Sequence, residues 1–254
     1  MLRFKVFTLV PDLISAYIES AMPLKRGIQK NLLEIQAVNF RDFSEDRHKK
    51  VDDTAYGGGP GMVIKPEPLI KAVETYQTPK TRIIFMDPKG QKLDHDLAKN
   101  LSREEEIFLI CGKYEGIDQR VYDILGGEMI SLGDFVMTGG ELSALAVIDS
   151  TSRFIEGTMD SFESKDEESF SEGLLEYPHY TRPLVFREKK VPDVLLSGHH
   201  ENIRQWKLKN SLKNTIKNRP ELLKLLNLKD LETGFVKEII KELYNGNKCR
   251  TINS

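Results

Sequence analysis

"MISLGDFVMTGGE", residues 129–141, begins as a continuous apolar run and ends in two glycines. Residues 129–137 predict a buried strand, because a strand covered on both faces carries apolar residues at consecutive positions. Glycines directly after a strand are typical of nucleotide-binding loops. However, the stretch has neither the G-x-G-x-x-G spacing nor a Lys-Ser or Lys-Thr pair after its glycines. It therefore predicts a strand that leads into a loop, and what the loop holds stays open at this point.

Elsewhere in the chain, predicted strands alternate with predicted helices. Apolar, β-branched runs occur at 4–10, 82–87 and 107–112. Stretches with helical periodicity lie between or after these runs, at 66–77, 94–102, 118–125 and 141–155. Buried strands that alternate with amphipathic helices are typical of a parallel sheet with helices on both faces. We therefore predict an α/β fold.

Residues 157–180 lose this alternation and are acidic and rich in Ser. Such a composition predicts a linker. Helical periodicity returns after it. We therefore divide the chain into an α/β domain at 1–156, a flexible linker at 157–180 and a small helical domain at 181–254.

Charge is distributed unevenly along the chain. Residues 1–180 contain 21 Lys and Arg against 31 Asp and Glu, a net of −10, whereas residues 181–254 contain 16 against 8, a net of +8. Within 204–219 the basic residues fill most faces of a predicted helix whose apolar positions include Trp206. A basic end beside an acidic body favours a nucleic-acid contact surface. The alternative is a set of solvated helix faces that balance an acidic domain.

Several classes of protein are disfavoured by composition. No apolar run approaches the roughly 18 residues that span a bilayer. The N-terminal apolar run is cut short by Pro11 and Asp12, which favours a first strand over a signal peptide. Two cysteines, Cys111 and Cys249, are too few for a disulfide framework. We therefore expect a cytoplasmic protein without a membrane partner.

Three glycine-containing loops follow predicted strands. They are "DPKGQ" (87–91), "CGKYEGID" (111–118) and "LGDFVMTGGE" (132–141). The carboxyl ends of parallel strands meet at one edge of a sheet, where ligands of such folds bind. A fourth glycine cluster, "DDTAYGGGPGMV" (52–63), lacks the Lys-Ser or Lys-Thr of a phosphate loop.

Few side chains in the sequence offer groups that could take part in a reaction or bind a metal. The run "KDEE" (165–168) could supply a general base, although an acidic run is more often a solvated loop. His199 and His200 are adjacent, so their side chains point apart, and no third ligand follows at a usable spacing. We therefore predict no metal site. Cys111 ends a strand without a nearby His, which favours packing over nucleophilic catalysis.

Five motifs together resemble one known family, in order and along nearly the whole chain. They are "DDTAYGGGPGMV" (52–63), "CGKYEGIDQRV" (111–121), "SLGDFVMTGGE" (131–141), "PHYTRP" (178–183) and "VPDVLLSGHHENIRQWK" (191–207). This set resembles the bacterial tRNA (guanine-N1)-methyltransferases of the knotted SPOUT superfamily. The resemblance implies a deep trefoil knot in the first domain. It also implies a transferase that methylates N1 of guanine 37, just 3′ of the tRNA anticodon.

The resemblance assigns a cofactor and a pocket. The cofactor is S-adenosyl-L-methionine, which has no phosphate, and a requirement for Mg²⁺ stays open. By the resemblance, Thr138-Gly139-Gly140 turns tightly around the cofactor where a Cβ would clash. The implied cofactor-binding residues are Asp87, Pro88, Gly112, Tyr114, Glu115, Leu132, Gly133, Asp134, Phe135, Val136, Met137, Gly139 and Gly140.

The resemblance also assigns catalytic residues and partners. Glu168 would remove the proton from guanine N1, and Arg153 would stabilise charge on O6. The commonest family pattern has Asp where this chain has Glu168, so the carboxylate is kept on a side chain one methylene longer. The implied partners are tRNA and a second copy of the chain, with active sites shared between subunits of the homodimer.

Three alternatives are left by the sequence. One is a knotted enzyme that methylates the ribose 2′-oxygen. Another is an RNA-binding protein without catalytic activity, against which the presence of Arg153 and Glu168 counts. The third is a nucleotide-dependent enzyme of an ordinary doubly wound fold, which the missing phosphate motifs disfavour.

Overall fold

The computed structural model describes residues 1–159, 169–170, 173–224 and 241. The chain divides into two compact units, Met1–Phe162 and Glu163–Ser254. The division of the chain at residues 156 and 180 stays a prediction. No helix among the described residues is long and apolar enough to cross a membrane.

A five-stranded parallel sheet forms the centre of the first unit. Its strands, in spatial order, are β2 (Leu33–Asn39), β1 (Leu2–Thr8), β6 (Glu106–Cys111), β5 (Thr81–Lys92) and β7 (Glu128–Ser131). Between β2 and β5 the chain forms an antiparallel hairpin of β3 (Asp52–Thr54) and β4 (Met62–Ile64). The parallel sheet predicted from the apolar runs is confirmed, while the trefoil knot stays a prediction.

Six α-helices accompany this sheet among the described residues of the first unit. They are α1 (Pro11–Ser20), α2 (Met22–Gln29), α3 (Pro66–Tyr76), α4 (His95–Leu101), α5 (Gln119–Leu125) and α6 (Glu141–Ser152). Their starts follow local chemistry. Proline occupies the first turn of α1, α2 and α3, where its missing N–H removes no helical hydrogen bond. Asp94 and Asp118 cap α4 and α5 by accepting backbone N–H bonds.

The sheet is buried on both faces. All six residues of β6 are buried, and consecutive residues enter opposite hydrophobic clusters because side chains alternate along a strand. Leu109, for example, packs with Phe4 and Ile148, whereas Phe108 packs with Phe7 and Phe85. Continuous apolar runs in the sequence therefore correspond to strands covered by helices on each side.

Glu106 is a buried carboxylate at the start of β6, with 3% of its surface exposed. Its oxygens accept a hydrogen bond from Thr81 Oγ1 at 2.6 Å and lie 3.3 Å from Arg3 Nε and 3.7 Å from Lys5 Nζ. Burial raises the pKa of Glu106, but the Thr81 hydrogen bond and the two cations outweigh it, and the net pKa is lowered. The ionised form therefore stabilises this end of the sheet.

The second unit contains a long helix and a short hairpin. The helix α7 (His200–Asn218) confirms the helical periodicity seen around Trp206. The hairpin pairs β8 (Val185–Phe186) with β9 (Lys189–Lys190). Two short 3₁₀ segments, Asp193–Leu196 and Pro220–Lys224, flank α7 along the chain. The small helical C-terminal domain expected from the sequence thus has α7 as its main described element.

Candidate active site

The first loop of the site is an excursion within β5. Met86 and Gln91 both pair with Ile130 of β7, so residues 87–90 leave the strand and return to the same register position. A Cβ on Gly90 would overlap the backbone of β7, so the return requires glycine. Such bulges redirect side chains near functional sites. Here the excursion carries Asp87, Pro88 and Lys89 at the carboxyl edge of the sheet.

The second loop follows β6 and is fastened to the β3–β4 hairpin. Glu115 N–H donates to the carbonyl of Met62 at 3.0 Å, and Gly116 N–H donates to Lys113 at 3.1 Å. Tyr114 has φ of 60°, an unusual value for a non-glycine residue, and the flanking hydrogen bonds hold it there. Its side chain is 48% exposed. Residues kept in sparsely populated backbone regions cluster at functional sites.

The third loop joins β7 to α6 and is tied to the second. Gly140 N–H donates to the carbonyl of Gly112 at 2.9 Å, and Gly139 forms an antiparallel bridge with Lys113. Gly140 has φ of −82°, which any residue adopts. Glycine is needed because a Cβ would lie 2.9 Å from Cys111 Cα. The Cβ clash expected at this turn is therefore with the chain's own β6.

These three loops enclose a cavity of about 260 Å³, close to the lower end of the range for small-molecule sites. Twelve of the thirteen predicted cofactor-binding residues line it. The exception is Asp134, whose carboxylate points to Lys92 Nζ at 2.6 Å and lies outside the lining. The structure thus brings the predicted residues together, and their contact with a cofactor stays a prediction.

Sequence reasoning missed several residues of the cavity lining. They include Lys89, Lys113 and Tyr122. The two lysines lie inside the glycine loops, where their positions could have been read from the sequence. Tyr122 lies on α5, where an aromatic residue at helical spacing is normally assigned to the core.

Cys111 packs beneath the cavity. It is 1% exposed, and burial raises its pKa well above the ordinary value, with the neighbouring Glu141 carboxylate adding to the effect. Glu141 is itself buried and accepts a hydrogen bond from Thr8 Oγ1 at 2.8 Å. A thiol that keeps its proton is a poor nucleophile, so packing is the interpretation that the structure favours for Cys111.

Arg153 follows α6 and is half-buried at the C-cap position of that helix. The chain just beyond it is anchored to the body of the first unit. Thr158 is fully buried and its hydroxyl donates to the carbonyls of Ile155 and Ser152, at 2.7 and 2.8 Å. Lys30 Nζ donates to the carbonyl of Gly157 at 3.0 Å. The predicted base, Glu168, lies outside the described residues.

The second unit presents basic and aromatic side chains. Lys207 Nζ lies 4.8 Å from the centroid of the Tyr177 ring, and Trp206 contacts the rings of Tyr177 and Tyr180. His199 precedes α7 and His200 begins it. Within the described ranges, no group of three or more His, Cys, Asp or Glu residues is placed to hold a metal ion.

Comparison with known proteins adds a family to this geometry. The model of the family described as tRNA (guanine-1)-methyltransferase TrmD matches residues 2–225. The chain belongs to this family. The match includes every residue that lines the cavity.

Curated relatives of the tRNA (guanine-1)-methyltransferase family are similar along almost the whole chain. A protein of Caldicellulosiruptor saccharolyticus is 50% identical over 234 residues, covering 92% of this chain and 95% of its own length. A protein of Brevibacillus brevis is 49% identical and covers 95% and 99%, and one of Clostridium tetani is 49% identical and covers 89% and 94%. All three are named tRNA (guanine-N(1)-)-methyltransferase.

Proposed function

We propose that this protein is a tRNA methyltransferase that moves the methyl group of S-adenosyl-L-methionine to N1 of guanine 37, the base 3′ of the anticodon. The observation that carries the proposal is the family match, which spans all three loops of the cavity. Relatives that are about 50% identical to this chain have names that specify guanine N1. Those names disfavour ribose methylation, and family membership disfavours both the inactive RNA-binding protein and the ordinary doubly wound enzyme.

The cavity suits this cofactor chemically. Its lining combines backbone of three loops with apolar side chains of Leu132, Phe135 and Met137, which suit an uncharged purine ring. Carboxylates of Asp87 and Glu115 offer acceptors to hydroxyl or ammonium groups. When bound, S-adenosyl-L-methionine supplies a methyl group on a positively charged sulfur.

The catalytic work of the chain falls to one carboxylate and one guanidinium. N1 of guanine carries a proton at neutral pH, and we assign its removal to Glu168, a role worth roughly 10²–10⁴-fold in rate. As N1 loses its proton, negative charge develops on O6, and we assign its stabilisation to Arg153. Arg153 caps α6 just before the hydrogen-bonded turn at Thr158, so its backbone position is held, and this supports the assignment because a positioned donor needs less reorganisation.

A homodimer with shared sites belongs to the same proposal. Large apolar side chains are exposed on the loop before α6 and on α6 itself, with Phe135 at 56%, Val136 at 86% and Leu142 at 56%. Leu13 and Tyr17 are exposed on α1, which packs against α6. Clustered exposed apolar groups mark interaction surfaces. We assign this surface to a second copy of the chain, and site sharing requires that the linker of that copy reach the cavity.

The basic second unit is the part that we assign to tRNA. Its described basic residues include Arg204, which is 84% exposed on α7, and Lys217 in the last turn of that helix. Cations along a helix neutralise phosphates and release counterions, so binding should weaken steeply with salt. Removal of residues 181–254 should abolish tRNA binding while cofactor binding remains. A tRNA substrate also places the enzyme in the cytoplasm.

The proposed reaction is tested by mass mapping of unmodified tRNA after incubation with labelled cofactor. We expect one methyl group on guanine 37 N1. Glu168→Gln should bind the cofactor normally and transfer methyl at least about 10²-fold more slowly, because only proton removal is lost. A methyl group on a ribose, or an undiminished single-turnover rate in Glu168→Gln, would contradict the assignment.

Site sharing is tested by mixing two inactive variants. Gly112→Leu should fill the cavity, and Gly112 suits this purpose because a Cβ there meets only the Ile117 side chain, at 3.8 Å. Glu168→Gln should bind the cofactor but be inactive in methyl transfer. When the two are refolded together, half of the dimers are mixed and each holds one intact shared site, which restores roughly a quarter of wild-type sites. No recovery, with mixed dimers verified by mass, would mean that cavity and base come from one chain.

A further inference from the structure

Asp87 has an unusually well-fixed carboxylate at the edge of the cavity. Its side chain is 11% exposed. Lys89 N–H donates to Oδ1 at 2.9 Å, Tyr122 Oη donates to Oδ2 at 2.9 Å, and Lys89 Nζ lies 3.3 Å from Oδ2. Three donors from two elements fix the orientation of this carboxylate before any ligand arrives.

Tyr122 supports Asp87 from α5. The Tyr122 ring packs on Phe85 with 4.3 Å between centroids, and Lys89 Nζ lies 5.3 Å from the centroid of the Tyr122 ring. Burial raises the pKa of Tyr122, with the hydrogen bond to Asp87 adding to the effect. The phenol therefore keeps its proton and serves as a donor to Asp87 across the physiological pH range.

The remaining acceptor capacity of Asp87 indicates what kind of ligand group it takes. An ionised carboxylate accepts about four hydrogen bonds, and Oδ1 accepts one from the described residues. The Lys89 ammonium partly cancels the charge of Asp87, so a neutral hydroxyl donor suits this position better than a cation. Carboxylates near the carboxyl ends of parallel strands bind ribose hydroxyls in other sheet proteins.

We propose that Asp87, held by Tyr122 and Lys89, accepts a hydrogen bond from a ribose hydroxyl of the cofactor and so makes binding depend on that hydroxyl. This inference rests on the proposed function, because it takes S-adenosyl-L-methionine as the ligand of the cavity. It gives Tyr122, which sequence reasoning missed, a positioning role.

The test is a titration calorimetry series with S-adenosylhomocysteine and its 2′-deoxy and 3′-deoxy derivatives. In the wild-type protein, removal of one of the two hydroxyls should weaken binding about ten- to a hundredfold, the range for a hydrogen bond to a charged group. In Asp87→Ala the same deletion should change affinity by less than about threefold, because the acceptor has gone. Asp123→Asn is the matched control: it removes an exposed carboxylate next to Tyr122 on α5 that does not line the cavity, and it should keep the wild-type dependence.

Tyr122→Phe keeps the packed ring and removes only the donor hydroxyl. It should reduce the hydroxyl dependence at least about threefold while the protein stays folded. The inference is overturned if Asp87→Ala or Tyr122→Phe keeps the full dependence, or if the wild-type protein binds all three ligands equally. Absence of S-adenosylhomocysteine binding to the wild-type protein would overturn the proposed function as well, so the two failures are distinguishable.

Discussion

Replacement of Gly140 by Ala tests how the third loop is packed onto the sheet. The backbone at Gly140 has φ of −82°, so Ala has no conformational penalty there. The added methyl would lie 2.9 Å from Cys111 Cα, 3.0 Å from Met86 Cβ and 3.1 Å from Gly112 N, and two of these neighbours are backbone atoms at the end of β6, which cannot move alone. Overpacking costs about 1–3 kcal/mol, and Ala is about 1 kcal/mol poorer than Gly at a helix N-cap.

We therefore expect Gly140→Ala to lose about 2–4 kcal/mol of unfolding free energy. For a protein of this size that lowers the Tm by about 4–16 °C in scanning calorimetry. Gly112→Ala is the control, because its Cβ would meet only the Ile117 side chain, at 3.8 Å. It should leave the Tm within about 2 °C of the wild-type value. Equal losses in both variants, or a loss below about 1 kcal/mol in Gly140→Ala, would refute the packing argument.

Three further predictions concern other parts of the chain. Thr158→Val removes the hydroxyl that donates to the carbonyls of Ile155 and Ser152, which keep their backbone N–H donors, and urea unfolding should show a loss of about 0.5–1.5 kcal/mol; unchanged stability would contradict this. Glu106 has a lowered pKa, so its ionised form stabilises the fold above its ordinary pKa of 4.5 and that stability is lost as pH falls through the lowered value. Glu106→Gln should therefore be less stable than wild type at pH 7, with a gap that narrows below about pH 4.5; a constant gap would oppose this. Arg204→Gln should reduce the salt slope of tRNA binding by about 0.7–0.9, and an unchanged slope would remove Arg204 from the interface.

The sequence predicted the strands that are buried on both faces of the sheet. The run 107–112 predicted β6 to within a residue, because both faces of that strand are covered and its sequence is apolar throughout. By contrast, β2 (Leu33–Asn39) was missed, since it is an edge strand whose burial alternates with exposed positions. The short helices α1 and α2 were also missed: among the residues of α1 only Ile14 is fully buried, which leaves a weak apolar period.

The strand predicted over 129–137 was too long, because β7 ends at Ser131. Phe135 and Val136 extend the apolar run in the sequence, yet they are exposed by 56% and 86% and belong to the loop that lines the cavity. The hydrophobic pattern of the sequence alone cannot distinguish core residues from apolar side chains that contact a ligand or a partner.

The position of the cavity followed from the sequence, but its internal contacts did not. Carboxyl ends of parallel strands meet at one edge, so three glycine loops after strands had to converge. The contact between Tyr122 and Asp87 joins residues 35 positions apart. The hydrophobic periodicity of a single element cannot predict this contact, because the contact depends on how α5 lies against β5.

Anchoring of the chain at Thr158 sets a limit on the reach of the predicted base. Thr158 and Gly157 are held to the first unit by hydrogen bonds, so the segment towards Glu168 starts from a fixed point at Met159. Nine residues, at no more than about 3.6 Å each, span at most about 32 Å. The Cα of Glu168 must therefore lie inside a sphere of that radius around Met159, and any cavity that Glu168 serves, in its own subunit or in a partner, lies within that radius plus the length of the Glu side chain. Shortening the segment by three residues would shrink the sphere's volume to about a third, so the length of this tether becomes a variable that can be tuned independently of the active-site residues.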